Sequence, residues 1–201
     1  MSTLILVRHG QSIYNFENRF TGSLDIELTK FGKQEAQMAG VKLMNYQFDF
    51  AFTSTLKRAI ESLRIIMETI HQTNLKVINN KALNERNYGN LQGLNKDEIK
   101  AKYGLEQVEI WRRSYAIRPP DGESLEDTFN RIIPFYKLEI EPKLKSGKII
   151  LIVAHGNSLR ALVMYLENIS KKQVSNLNIP TGIPKQYTFD GNLKVLEVKY
   201  L

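Results

Sequence analysis

Three histidines occur in the chain, and two of them close an apolar run and stand before a glycine. The segments are Leu4-Ile5-Leu6-Val7-Arg8-His9-Gly10-Gln11-Ser12 and Leu151-Ile152-Val153-Ala154-His155-Gly156-Asn157-Ser158. Each reads as an apolar strand, one residue, His-Gly, an amide and a serine. An imidazole with one free ring nitrogen is a nucleophile near neutral pH. Two of them at corresponding strand ends can face each other across one pocket if the strands are neighbours. The surroundings decide what such a pair acts on. Arg8 adjoins His9, and a guanidinium fork suits the oxygens of a phosphate. Glycine at position 10 permits close approach, and the N–H groups from there onward can form an anion nest. Asn157 and Ser158 put polar groups and a helix N-terminus beside His155. A protonated His155 would stabilise charge on the oxygens of a transferring phosphoryl group. The pattern therefore points to phosphoryl carriage on His9.

A metal centre is the rival use of two histidines. Catalytic zinc generally takes three protein ligands. Here there is no cysteine, no His-x-x-x-His spacing and no third histidine in a similar setting, since His71 reads as a solvated residue at a helix end. The adjacent Arg8 would also repel a cation. No metal is expected, and the lack of cysteine removes disulfides and thiolate catalysis as well.

Four apolar stretches read as strands that could position these groups: Leu4 to Val7, Phe48 to Thr53, Lys76 to Asn79 and Lys148 to Val153. Helical stretches lie between them. Lys30 to Asn45 follows Thr29 as N-cap, and Leu56 to Ile70 follows Ser54-Thr55. Leu125 to Lys145 follows Ser124, whose spacing to Asp127 forms a capping box, and Pro134 and Pro142 should kink or break that helix. Ser158 to Leu166 takes Asn157 as its cap. Strands alternating with helices indicate an α/β fold with a mainly parallel sheet, whose ligands bind outside the carboxyl ends of the strands. No Pro/Gly/Ser-rich linker divides residues 1–201, which read as one domain. The loops Leu83 to Gly93 and Arg112 to Gly122 are the natural carriers of further function.

The net charge is +7. It fits a basic pocket for an anionic small molecule, because no basic run interleaved with aromatics suggests nucleic acid. No apolar run reaches the length of a membrane span and the start lacks a secretory signal, so a cytoplasmic protein is expected.

With Leu6-Val7-Arg8-His9-Gly10 in place, the chain resembles the histidine phosphatase superfamily, and within it the cofactor-dependent phosphoglycerate mutases. The likeness extends through Asn18-Arg19-Phe20-Thr21-Gly22, Leu56-Lys57-Arg58-Ala59, Leu83-Asn84-Glu85-Arg86-Asn87-Tyr88-Gly89, Trp111-Arg112-Arg113, Ala154-His155-Gly156-Asn157-Ser158-Leu159-Arg160 and Leu177-Asn178-Ile179-Pro180-Thr181-Gly182. The resemblance implies a three-layer α/β/α fold and a mutase of glycolysis and gluconeogenesis that interconverts 3-phosphoglycerate and 2-phosphoglycerate. It implies 2,3-bisphosphoglycerate as priming donor, no metal and a homodimer. A phosphatase of the same superfamily, acting on small phosphate esters, is the alternative. By the same resemblance, His9 is the phosphorylated nucleophile, and Arg8, Arg58 and His155 cradle the phosphoryl group. Glu85 moves the substrate proton. Gly10, Ser12, Asn15, Thr21, Gly22, Gly156 and Asn157 join the phosphate contacts, while Arg86, Tyr88, Lys96, Arg112 and Arg113 hold the other end of the substrate. Gln11 and Asn87 depart from the commoner Glu and His of the family.

Overall fold

The computed structural model describes residues 1–201. Its sheet holds six strands: β1 (Ser2–Arg8), β2 (Phe50–Thr53), β3 (Val77–Asn79), β4 (Ile149–Ala154), β5 (Lys185–Phe189) and β6 (Val195–Tyr200). Their order is β3-β2-β4-β1-β5-β6. The first four run parallel, while β5 is antiparallel to β1 and β6 to β5. The four parallel strands coincide with the four apolar stretches. The final hairpin has no such stretch. In edge strand β6 the charged Glu197 and Lys199 alternate with Leu196, Val198 and Tyr200, as a strand open to water requires.

Eight α-helices accompany the sheet: α1 (Ile13–Phe16), α2 (Lys30–Lys42), α3 (Lys57–Thr69), α4 (Lys96–Tyr103), α5 (Leu105–Arg113), α6 (Leu125–Phe135), α7 (Glu141–Lys145) and α8 (Gly156–Leu166). Side chains alternate along a strand, and the core divides accordingly. Leu4, Leu6, Ile150 and Ile152 pack with Ile132 and Ile133 of α6 and with Leu159 and Leu162 of α8. Ile5, Val7, Leu151 and Val153 pack with Ala39 of α2 and with Leu63 and Ile66 of α3. Both faces are covered, which is why β1 and β4 are apolar without interruption. Each such side chain contributes about 1.5–3 kcal/mol on burial.

Local signals explain the helix ends. Thr29 Oγ1 accepts from Gly32 N at the start of α2, and Ser124 and Asp127 form a reciprocal capping box at the start of α6. The stretch from Leu125 to Lys145 remains helical, but not as one α-helix. A π-helical segment, Tyr136–Ile140, separates Pro134 inside α6 from Pro142 in the first turn of α7. The wider turn accommodates what proline cannot donate and where its ring would clash. Helix α8 begins two residues before the expected start, with His155 rather than Asn157 as N-cap.

A third, smaller core joins Phe20, Leu91, Ile99 and Val108, with Tyr88 and Trp111 packed against it. It supports α4 and α5, which meet at Gly104 with φ +84°. Helix α4 buries only Ile99 and carries little apolar stripe, whereas α5 repeats Leu105, Val108 and Trp111 at three-residue spacing but spans only nine residues.

Candidate active site

Parallel pairing sets Arg8 against Ala154 and Thr53 against Val153. β1 and β4 therefore end level and β2 one register position earlier, and His9, His155 and Ser54 are the next residues along each. The two imidazoles meet edge to face with ring centres 4.9 Å apart. His9 Nδ1 lies 2.6 Å from the Gly10 carbonyl oxygen. A carbonyl can only accept, so Nδ1 carries the proton and Nε2 keeps its lone pair. Arg58 Nε donates to that Nε2 at 3.3 Å. His155 Nε2 pairs with Ser54 Oγ at 2.7 Å, while its Nδ1 is buried without a partner.

The two arginines are fixed by backbone. Arg8, the last residue of β1, donates from Nη1 to Ile179 O at 2.8 Å and leaves a buried Nε unpaired. Arg58 stands in the first turn of α3, with Nη1 on Leu24 O and Nη2 on Gly22 O, both at 2.7 Å. Gly22 has φ +55°, and a Cβ there would fall 2.0 Å from Gln92 Oε1, so a side chain at position 22 would be strained and would displace Gln92. Thr21 beside it has a buried hydroxyl with no partner.

The expected anion nest after His9 is not open. Gly10 N donates to Ser62 Oγ, Gln11 N to Glu35 Oε2 and Ser12 N to Asn15 Oδ1. Glycine is required at position 10 for another reason. A Cβ there would lie 2.0 Å from Gly32 O of α2, so two glycines meet where the helix backbone crosses the strand end.

Glu85 and α8 form the next layer. Asn157 N donates to Glu85 Oε1 at 3.1 Å and to Oε2 at 3.4 Å, and Arg86 N donates to Oε1 at 2.8 Å. The carboxylate thus satisfies a free N–H at the positive end of α8, the task that a capping side chain would otherwise perform. Asn157 Nδ2 donates to Tyr88 Oη at 3.3 Å, and Asn157 Oδ1 accepts from Arg160 Nη1 at 3.0 Å.

Across a cavity of about 200 Å³ stand Lys96, Arg112 and Arg113. Lys96 is the first residue of α4, capped by Asn95, and its N–H donates to Asn18 O. Arg112 and Arg113 close α5 and share Glu109 on the preceding turn, with Arg112 Nη1 2.5 Å and Arg113 Nε 3.9 Å from its oxygens.

Charge defines this cavity. Arg8, Arg19, Arg58, Lys96, Arg112, Arg113 and Arg160 line it, and Glu85 is its only carboxylate. Burial, then Arg58 and Arg8, holds the His9 imidazole well below the ordinary histidine value. Burial, Arg58 and His9 do the same to His155. Both rings are therefore neutral in the free site, and the protonated His155 expected from the sequence requires an anion to reverse the local field. Burial pushes Arg58 and Arg160 down to about 10. Burial and Arg112 lower Lys96. Burial alone would raise the Tyr88 phenol, but Arg86 stacked 4.5 Å above its ring outweighs that and lowers it.

Of the expected site residues, Arg8, His9, Asn15, Thr21, Gly22, Arg58, Glu85, Tyr88, Lys96, Arg112, Arg113, Gly156 and Asn157 line the cavity. His155 lies directly behind His9. Gly10, Ser12 and Arg86 do not reach it. Ser12 caps α1 in a reciprocal pair with Asn15. Arg86 is fully buried and donates from Nη2 to Trp111 O and Arg112 O, so it ties the end of α5 to the loop bearing Glu85. The cavity also contains Arg19, Phe20, Arg160 and Asn178, which sit inside the quoted motifs but gave no chemical signal of their own. No three His, Cys, Asp or Glu side chains gather as metal ligands would, and no helix is long and apolar enough to cross a membrane.

The sequence matches the histidine phosphatase superfamily (branch 1) over residues 4–199. It is 54% identical to a 2,3-bisphosphoglycerate-dependent phosphoglycerate mutase of Cytophaga hutchinsonii, over 100% of this chain and 94% of that protein. A protein of the same name from Sinorhizobium fredii is 49% identical over 99% of this chain and 95% of its own length. Among solved structures, a mycobacterial glucosyl-3-phosphoglycerate phosphatase in complex with VO3 superposes with a TM-score of 0.83 at 27% identity, covering 100% of this chain and 96% of that one.

Proposed function

Because the chain belongs to the histidine phosphatase superfamily, we propose that it is a 2,3-bisphosphoglycerate-dependent phosphoglycerate mutase working through a phosphohistidine on His9. One observation carries this reading beyond the family: seven arginine and lysine side chains line the cavity, and Glu85 is its single carboxylate. A phosphate at the His9 end leaves Lys96, Arg112 and Arg113 unmatched unless the substrate bears a second anionic group. A phosphorylated carboxylic acid has one.

His9 Nε2 attacks phosphorus, the N–P bond forms and the P–O bond to the substrate breaks. Arg8 and Arg58 offset the charge on the transferring group. Glu85 gives its proton to the departing oxygen and recovers it from the hydroxyl that attacks in the second half-reaction, a proton shuttle worth roughly 100- to 10,000-fold. His155, neutral in the free site, becomes easier to protonate once the phosphoryl dianion is near. The unpaired Arg8 Nε and Thr21 hydroxyl are buried donors that a phosphorylated ligand would satisfy. The bisphosphate supplies the phosphoryl group that primes His9, and its three anionic groups suit a cavity this rich in cations. The homodimer belongs to the same reading and is checked by light scattering.

Mass spectrometry after incubation with 2,3-bisphosphoglycerate should find an acid-labile phosphate on His9, and a coupled mutase assay should depend on added bisphosphate. Phosphate release faster than isomerisation would instead favour a phosphatase, as would bisphosphate-independent turnover.

A further inference from the structure

Glu85 lies in an irregular segment, so its neighbours' carbonyls have no helix or strand ladder to join and must be satisfied from elsewhere. One side chain meets most of that need. Arg131, on α6, donates from Nη1 to Ala82 O at 2.6 Å and from Nη2 to Asn84 O at 2.9 Å and Glu85 O at 3.2 Å. Its counterion Glu123 accepts from Arg131 Nε and Nη2, both at 3.2 Å. The same carboxylate accepts from Asn87 N at 2.9 Å, and Glu123 N donates to Asn87 O at 2.8 Å. The pair therefore grips the backbone on both sides of Glu85. Arg131 does not line the cavity, so a ligand contact does not explain it. A lysine has no planar fork with which to span three carbonyls.

We propose that Arg131, held by Glu123, is the positioning residue that aims the Glu85 carboxylate for proton transfer. The inference rests on reading Glu85 as the proton shuttle. Glu85 must reach both the α8 N-terminus and the substrate oxygen, and misplacement by about 1 Å costs on the order of 100-fold in such steps. When His9 Nε2 attacks phosphorus and the P–O bond of an alkyl ester breaks, the departing alkoxide needs the Glu85 proton. When the departing group is p-nitrophenolate, a weak base, it leaves without one. A positioning residue for the shuttle is needed for the first donor and dispensable for the second, whereas a merely structural residue matters equally to both.

The test follows His9 phosphorylation in single turnover with 2,3-bisphosphoglycerate by mass spectrometry, and with p-nitrophenyl phosphate by the nitrophenolate burst. Arg131→Met should slow the first about 10- to 100-fold and change the second by less than about threefold. Arg131→Lys should fall between Arg131→Met and the parent protein. Glu123→Gln should show the same selectivity at smaller size, and it carries the test should Arg131→Met fail to fold. Equal slowing with both donors, or no slowing with the bisphosphate, overturns the proposal. Glu85→Gln is the control. If it too fails to discriminate between the donors, or if the parent protein does not label His9, then the reading of Glu85 and His9 has failed rather than the role of Arg131.

Discussion

The two ends of the cavity rest on very different amounts of core. His9 and His155 extend from strands whose residues Leu4 to Val7 and Ile150 to Ala154 are at most 2% exposed, pinned between two helical layers. Lys96, Arg112 and Arg113 extend from α4 and α5, whose apolar support is Phe20, Leu91, Ile99 and Val108. Transfer chemistry needs reacting atoms held to fractions of an ångström, and the sheet edge supplies that. The cap has only to gather charge around an anion, and its small core leaves it the part most readily opened, as binding elements often are. Arg86 and Asn157 bridge the two ends, through the α5 carbonyls and through Glu85, Tyr88 and Arg160.

The largest expected effect lies at the sheet edge. His9→Ala should lower mutase turnover at least about 10,000-fold and abolish acid-labile phosphate, because nothing else in the cavity replaces the nucleophile. Substantial residual turnover would sink the histidine mechanism and with it the division of labour between the ends. Next comes the cap core. Ile99→Ala should cost about 2–4 kcal/mol locally, read as faster amide exchange across residues 96–113 while the central strands stay protected. Equal loss of protection in β1 and β4 would show one cooperative unit instead of two regions. Smaller again is the cap charge. Lys96→Ala should raise KM roughly 10- to 100-fold with little change in kcat, the signature of lost substrate binding rather than lost chemistry. A fall in kcat alone would move Lys96 into the transfer step.

A last prediction separates the ends by pH. Both buried imidazoles titrate below the ordinary histidine value, so the unfolded chain binds more protons than the folded one as pH falls through about 6.5. The free protein should be most stable above that pH and should lose up to about 1.4 kcal/mol per pH unit per histidine below it. Urea unfolding between pH 7 and 5 should show this slope. It should be reduced in His9→Asn and unchanged in Lys96→Met, since Lys96 is not among the charges that lower His9 or His155. A slope untouched by His9→Asn would place its origin elsewhere.

Much of the transfer end was legible because it is local in sequence. A continuous apolar strand followed by His-Gly reports its own burial and its own end, and the chain does so twice. The α4–α5 cap was not legible, since α4 buries only Ile99 and the apolar repeat of α5 runs for only nine residues. The motifs carried Arg112 and Arg113 as residues but gave no sign of the core beneath them. Glycine at position 10 was visible, but its purpose was not. The residue that forbids a side chain there is Gly32, and nothing local links the two. The position of Arg131 was equally hidden, because its partners lie 46 to 49 residues away.

The sequence by itself determined the His-Gly pair proposed to react, the parallel strands that carry it and the excess of positive charge, because these depend on residue type and short-range period. Only the tertiary structure decided that the two histidines meet at 4.9 Å, that both are neutral in the free site, and that the N–H groups after His9 serve the fold instead of a phosphate. Strand register sets the first, burial among arginines the second and the crossing of α2 over the strand end the third. Each is a relation between segments far apart in the chain, on which local propensity is silent.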